Sequence, residues 1–170
     1  MDDRQFEIMV RAFSSDLYRF AFWLCRNRWQ AQDLVQECFA SAWKARASLR
    51  DDGAIKSWLF SILRNAHAST YQRKRLDIED TDLDDLGVAS DDMGHERVEL
   101  EECLASLPDT YREPLMLQVL GGFSGKEISE MMGISEQNVM TRLSRARQAL
   151  RRLMSPGSGG EAEGIRKRNA

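Results

Sequence analysis

The chain has 170 residues, of which 42% are hydrophobic and 30% charged, and its formal net charge is −3. That is the composition of a soluble globular protein with room for one medium domain or two small ones. No apolar run is long enough to cross a bilayer, and the opening Met1-Asp2-Asp3-Arg4 lacks signal-peptide features, so a cytoplasmic protein is expected.

Phe6 to Trp29 contains neither proline nor glycine and repeats apolar residues at helical spacing: Phe6, Met9, Val10, Phe13, Leu17, Phe20, Ala21, Leu24. This predicts one long helix packed along one side. A second helix is expected after Trp29, running to about Ala45 with Leu34, Val35, Cys38, Phe39, Ala42 and Trp43 as its apolar stripe. Asp33, Gln36 and Glu37 fall on its outer face. Arg46 to Gly53 reads as a polar loop. A third helix follows from Ala54 to about Arg75, burying Ile55, Trp58, Leu59, Ile62, Leu63 and Ala66, and it finishes in Tyr71-Gln72-Arg73-Lys74-Arg75. Cations there suit the helix dipole and also suit phosphates. Three such helices can share a core, so residues 1–75 are expected to fold as a unit.

From Leu76 the chain turns acidic, and residues 76–94 read as a flexible linker with too few apolar residues to offset the cost of ordering. Fully extended, its acidic part from Leu76 to Asp92 reaches roughly 55 Å. Its anions could also compete for basic surfaces. Helical order is expected to resume near His95, with Val98, Leu100, Cys103, Leu104 and Leu107 on the apolar side. Pro108 opens the next helix, and Gly121-Gly122 ends it.

Two helical patterns then meet at Gly133, where a left-handed backbone is easiest, and Ser135 is placed to cap the second. Short helix, glycine turn and capped longer helix make a helix-turn-helix, whose second helix enters the major groove of DNA. Val139, Leu143, Ala146, Leu150 and Leu153 form its inner stripe, which leaves Gln137, Thr141, Ser144, Arg145 and Gln148 outward. Met140, Arg142 and Arg147 lie on the flanks. Small polar groups with an arginine suit base edges, and the flanking arginines suit phosphates. Lys126, near the start of the first helix, is a further phosphate candidate. Residues 155–170, beginning Ser155-Pro156-Gly157-Ser158-Gly159-Gly160, read as a disordered tail.

The cysteines Cys25, Cys38 and Cys103 are scattered and odd in number, and His67 and His95 are isolated, so neither disulfides nor a metal site nor a cofactor is expected. No Gly-rich phosphate loop, nucleophile elbow or carboxylate pair suggests an enzyme.

Asp33-Leu34-Val35-Gln36-Glu37 with Phe39 and Trp43, and then Ser57-Trp58-Leu59-Phe60-Ser61-Ile62-Leu63-Arg64-Asn65, resemble region 2 of bacterial sigma factors. Leu107 to Leu117, the Gly122-Phe123-Ser124 step and the helix-turn-helix with Ser144-Arg145-Ala146-Arg147 resemble region 4. Their order, with nothing else between them, resembles the extracytoplasmic-function sigma factors over about residues 5–153.

The resemblance implies an all-α chain of two small helical domains on a flexible acidic linker: region 2 at 1–75, linker at 76–94, region 4 at 95–154 and a tail at 155–170. It implies a non-enzymatic factor that binds core RNA polymerase, through the β′ clamp helices and β flap, and promoter DNA. An anti-sigma factor is a further implied partner. Asp33, Gln36, Glu37, Phe39 and Trp43 would meet the polymerase. Ser48, Leu49, Arg50 and Asn65 would meet an unstacked base of the −10 element, with Arg64, Arg73, Lys74 and Arg75 along its backbone. Met140, Thr141, Ser144 and Arg145 would read the −35 element, supported by Gln137, Arg142 and Lys126. Ser69 stands where many relatives carry Asp, four residues after Asn65. Two other readings remain from the residues: a helix-turn-helix regulator that never binds polymerase, and a sigma-like mimic that sequesters an anti-sigma factor.

Overall fold

The computed structural model describes residues 1–77 and 95–155, with side chains described over 1–70 and 99–155. Among the described residues the chain is helical: α1 (Asp3–Cys25), α2 (Arg28–Ala45), α3 (Ile55–Asp77), α4 (His95–Ser106), α5 (Asp109–Val119), α6 (Gly125–Met132) and α7 (Glu136–Met154). The expected linker lies largely outside the described residues, and so does nearly all of the expected tail. The all-α expectation holds, and the helix boundaries differ in instructive places.

Asp2 starts α1 with a capping box: its Oδ1 accepts from the Gln5 amide at 2.8 Å, and Gln5 Oε1 accepts from the Asp2 amide at 2.9 Å. The helix stops at Cys25, four residues before the break expected from the sequence. Arg26 adopts a left-handed conformation at φ 55°, the one described non-glycine residue with positive φ. That conformation costs roughly 1–2 kcal/mol for a residue with a Cβ. It is offset by the Arg26 amide donating to the Phe22 carbonyl at 2.7 Å and by the guanidinium lying 4.4 Å from the Trp23 ring centroid. Asn27 Oδ1 then accepts from the Trp29 and Gln30 amides at 2.9 and 3.0 Å, which begins α2. Trp29 therefore belongs to the first turn of α2, not to the end of α1.

α1, α2 and α3 pack around Leu17, Phe20, Ala21, Ala31, Cys38, Ala42, Leu59, Phe60 and Leu63, all fully buried. Each large side chain among them contributes about 1.5–3 kcal/mol by leaving water. Cys38 donates to the Leu59 carbonyl at 3.4 Å, and burial pushes its thiol up to about 12. The loop between α2 and α3 is less open than expected, because two short 3₁₀ turns occupy Arg46–Ser48 and Asp52–Ala54.

The second body forms around Leu117, Ile128, Val139, Leu143 and Ala146. Cys103 and Leu107 of the expected α4 face are buried, Leu104 is partly so, and Leu100 is exposed. Gly133 takes φ 66°, and Ser135 Oγ accepts from the Asn138 amide at 3.1 Å, so the turn forms as the sequence implies. Gly121 is needed for a different reason. A Cβ there would sit 2.4 Å from the Phe123 ring and 2.6 Å from the Leu117 carbonyl oxygen, so the ring lies flat over the bare backbone.

The two bodies touch. α1 meets α5, and α3 meets α6. Phe123 packs edge-on against Phe60 of the first core, with centroids 5.1 Å apart at 79°, an arrangement worth about 0.5–1.5 kcal/mol beyond burial. Lys56 Nζ lies 5.8 Å from the same ring. Arg64 of α3 donates to the Glu113 carboxylate of α5 and, at 2.5 Å, to the Met131 carbonyl of α6. Arg26 shares this junction: burial and then Arg112 draw its pKa below the usual arginine value, while Glu101 acts in the other direction.

Candidate nucleic-acid and polymerase interfaces

α7 carries its buried stripe through Val139, Leu143 and Ala146, and the opposite face opens onto solvent. A shallow groove there is lined by Glu136, Gln137, Met140, Thr141, Ser144, Arg145 and Gln148. Helical periodicity had placed Met140 on a flank; the structure brings it fully into the groove, 52% exposed. Arg142 leaves the groove, and its Nε donates to Asn138 Oδ1 at 2.9 Å. Arg147 is tied to Gln118 of α5 at 2.5 Å. Lys126 stands exposed in the first turn of α6, whose N-terminus is closed by a second capping box between Ser124 and Glu127. The groove thus combines amide, hydroxyl, thioether and guanidinium groups on one rigid, capped helix. Those chemistries suit the edges of stacked bases.

The second group of candidates surrounds the α2–α3 loop. Ser48, Leu49 and Arg50 line one wall of a cleft of about 420 Å³ with Asp51, Ser57, Trp58 and Ser61. Asp51 accepts from the Gly53 amide at 2.9 Å, which shapes the turn, and Ser48 Oγ donates to the Ala45 carbonyl at 2.6 Å. Asn65 is exposed on α3. The opposite wall belongs to the other body: Glu127, Glu130 and Met131 of α6. Arg64 does not stand free for a phosphate, being engaged by Glu113 and the Met131 carbonyl. Arg73, Lys74 and Arg75 lie on the last turns of α3.

On α2, Asp33, Gln36 and Glu37 are exposed as expected. Phe39 and Trp43 are half-buried. Trp43 is held between Phe6, at 4.9 Å and 75°, and the Arg46 guanidinium, 3.7 Å from its centroid. Its surface is largely spent inside the fold. The large aromatic group that α2 does present is Trp29, 71% exposed and one helical turn before Asp33. Sequence reading missed it because it assigned Trp29 to the preceding helix. The Asn27 capping signal two residues earlier could have found it.

Two family matches cover most of the chain: sigma-70 region 2 over residues 9–80 and sigma-70 region 4 over residues 97–150. The chain is 35% identical over 159 residues to the ECF RNA polymerase sigma factor SigM of Bacillus subtilis, covering 90% of this chain and 97% of that protein. It is 33% identical to the ECF RNA polymerase sigma factor EcfG of Rhodopseudomonas palustris, covering 85% and 82%. Its fold is similar to that of the sigma factor RpoE from Bartonella quintana, solved in complex with the anti-sigma factor NepR. The TM-score is 0.78 at 26% identity, covering 89% of this chain and 97% of that one. CnrH, solved with the cytosolic domain of CnrY, gives 0.68 at 25% identity, covering 90% and 89%. Region 2 and region 4 therefore stand in sequence on one all-helical chain, and the chain belongs to the extracytoplasmic-function sigma factors of RNA polymerase.

Proposed function

We propose that this chain binds core RNA polymerase and directs initiation at promoters whose −35 element is read by α7 and whose −10 element is read by the first body. One observation carries the reading: a single chain pairs a polar, solvent-open helix in a helix-turn-helix with a second helical body whose exposed α2–α3 loop lines one wall of a cleft. Residues 1–75 act as the unit for polymerase and −10 binding, residues 95–154 as the −35 unit, residues 76–94 as the tether, and 155–170 as a tail outside both.

Arg145 pairs with a guanine edge, while Thr141, Ser144, Gln137 and Met140 complete the reading face. Arg142 and Lys126 hold phosphates. Ser48, Leu49, Arg50 and Asn65 receive an unstacked base, and Arg64, Arg73, Lys74 and Arg75 follow the strand. Asp33, Gln36 and Glu37 form the charged rim of the polymerase contact with Trp29 as its exposed aromatic anchor, and Phe39 and Trp43 support it from beneath. The chain performs no covalent chemistry and borrows the polymerase active centre. It acts in the cytoplasm; among the described residues no helix is long and apolar enough to cross a membrane. An anti-sigma factor is a further partner, as in the complex of the RpoE relative with the anti-sigma factor NepR.

The test is run-off transcription with purified core polymerase over a randomised promoter library. Enrichment of templates sharing two spaced elements is the expected result. Absence of any added initiation would refute the reading, and a helix-turn-helix regulator would bind duplex DNA while failing to co-elute with core.

A further inference from the structure

One carboxylate lines the α7 groove, and nothing in the promoter reading uses it. Glu136 is exposed at the first position of α7 and shares the groove with Gln137, Met140, Thr141, Ser144 and Arg145. A carboxylate at that end of a helix is favoured by the dipole in any protein. Glu127, the first-turn carboxylate of α6, is also put to use, accepting from the Ser124 amide at 2.8 Å. Among the described residues the Glu136 side chain has neither a hydrogen bond nor an ion pair. Its own row of the helix, at steps of four, continues with Met140 and Ser144, so no cation follows it. Met140 is itself held in place. Its Sδ lies 3.2 Å from where a Cβ would stand at Gly125, so the thioether rests against the start of α6. The carboxylate therefore stands uncompensated on a face that would meet a polyanion.

We propose that Glu136 is a base-selecting residue of the −35 reading face, taking the exocyclic amino group of a cytosine. The inference rests on the proposed promoter reading and adds one residue and one base to it. The residues that open a recognition helix are those that reach base edges. In the major groove guanine and thymine present acceptors, and adenine sets an acceptor beside its amino group. Each of these repels a carboxylate. Cytosine presents a donor alone, its N4 amino group, so a carboxylate can accept from it without opposing an acceptor. Repulsion from the wrong bases then contributes to selectivity as much as the bond to the right one. Arg145, the guanine candidate, follows nine positions later in the adjoining row, about 13 Å along the axis at ~1.5 Å per residue. On a helix lying along the groove, that distance spans about four base steps at ~3.4 Å each. Glu136 and Arg145 thus take different positions of the element.

The test is run-off transcription by core polymerase reconstituted with the full chain, on a library randomised over the −35 element. E136Q, E136A and R145A are run beside the wild type. Wild-type products should be enriched about tenfold in cytosine at one position. E136Q should move that position from cytosine toward adenine, whose N6 and N7 an amide bonds together, and E136A should leave it without preference. R145A should relax a different position, about four steps away. Thermal midpoints read by circular dichroism separate a structural role. A Glu136 that serves only the helix dipole lowers the midpoint in both of its variants and reduces every template alike. That uniform loss overturns the inference, as does an E136Q preference identical to the wild type or altered only at the position R145A controls. In those cases the wild type still selects a −35 element, so the promoter reading survives and Glu136 alone is removed from it. A wild type that initiates nowhere, or with no upstream preference, sinks the promoter reading and the cytosine contact with it.

Discussion

The groove on α7 and the cleft beside the α2–α3 loop are the two places proposed above to meet a base, and they are built differently. The α7 groove is made by one helix and faces water. The cleft is made by both bodies, and its far wall is acidic. A reading surface built from consecutive turns of one helix is complete as soon as that helix is packed. One bordered by a second body depends on how that body packs. The first site therefore depends on one body alone and the second on the packing of both.

The largest expected effect comes from removing the ring that joins the bodies. Phe123→Ala should destabilise the second body by about 3–5 kcal/mol, through lost burial and the cavity left behind. All four tryptophans, Trp23, Trp29, Trp43 and Trp58, lie in the first body, so their fluorescence follows that body alone. In urea, fluorescence and circular dichroism should give one shared transition for the wild type and two separate ones for the variant. Coincident transitions in both would show that the bodies do not couple through this ring.

Trp29→Ala separates what is covered from what is merely exposed. With 71% of its surface in water, the side chain adds little to folding, and the thermal midpoint should hold. Core polymerase affinity should fall by about 2 kcal/mol, roughly thirtyfold, as measured by fluorescence anisotropy. Unchanged affinity would remove Trp29 from the interface.

Arg145→Ala probes the open groove. Binding to a −35 duplex library should lose roughly 1–3 kcal/mol of discrimination at one base position, whereas Arg142→Ala should weaken all sequences alike. Equal losses on every sequence for both variants would end that division of roles.

The smallest effect is expected at Cys38. With its pKa raised to about 12 by burial, only about one thiol in ten thousand is ionised at pH 8, so alkylation should be very slow. Its rate should rise about tenfold per pH unit as the thiolate fraction grows, with no plateau near pH 9 of the kind an ordinary thiol shows. It should stay slow in Phe123→Ala under native conditions, because Cys38 is fully buried and its thiol is bonded to the Leu59 carbonyl of α3. Rapid labelling of that variant would mean that the junction also holds the first core together.

What could be read from the sequence divides along the same line. The α7 groove was legible because Val139, Leu143 and Ala146 repeat at helical spacing and Gly133 and Ser135 mark the turn, all within one short stretch. The end of α1 was not, because Arg26 turns the chain without glycine or proline, using rings at Phe22 and Trp23 that look like ordinary core residues. That one misplaced boundary hid Trp29. Arg64 was legible as a cation on α3 but not as a tethered one, since Glu113 is 49 residues away and the Met131 carbonyl 67. Trp43 was read as available, and Phe6 and Arg46 had already claimed it.

Gly121 gives the junction an unusual sensitivity. Phe123 can rest where it does only because nothing projects from the backbone at Gly121, so one added methyl would collide with its ring and with the Leu117 carbonyl. Position 121 is thus a point where a single added carbon would disturb the packing of the ring that joins the two bodies.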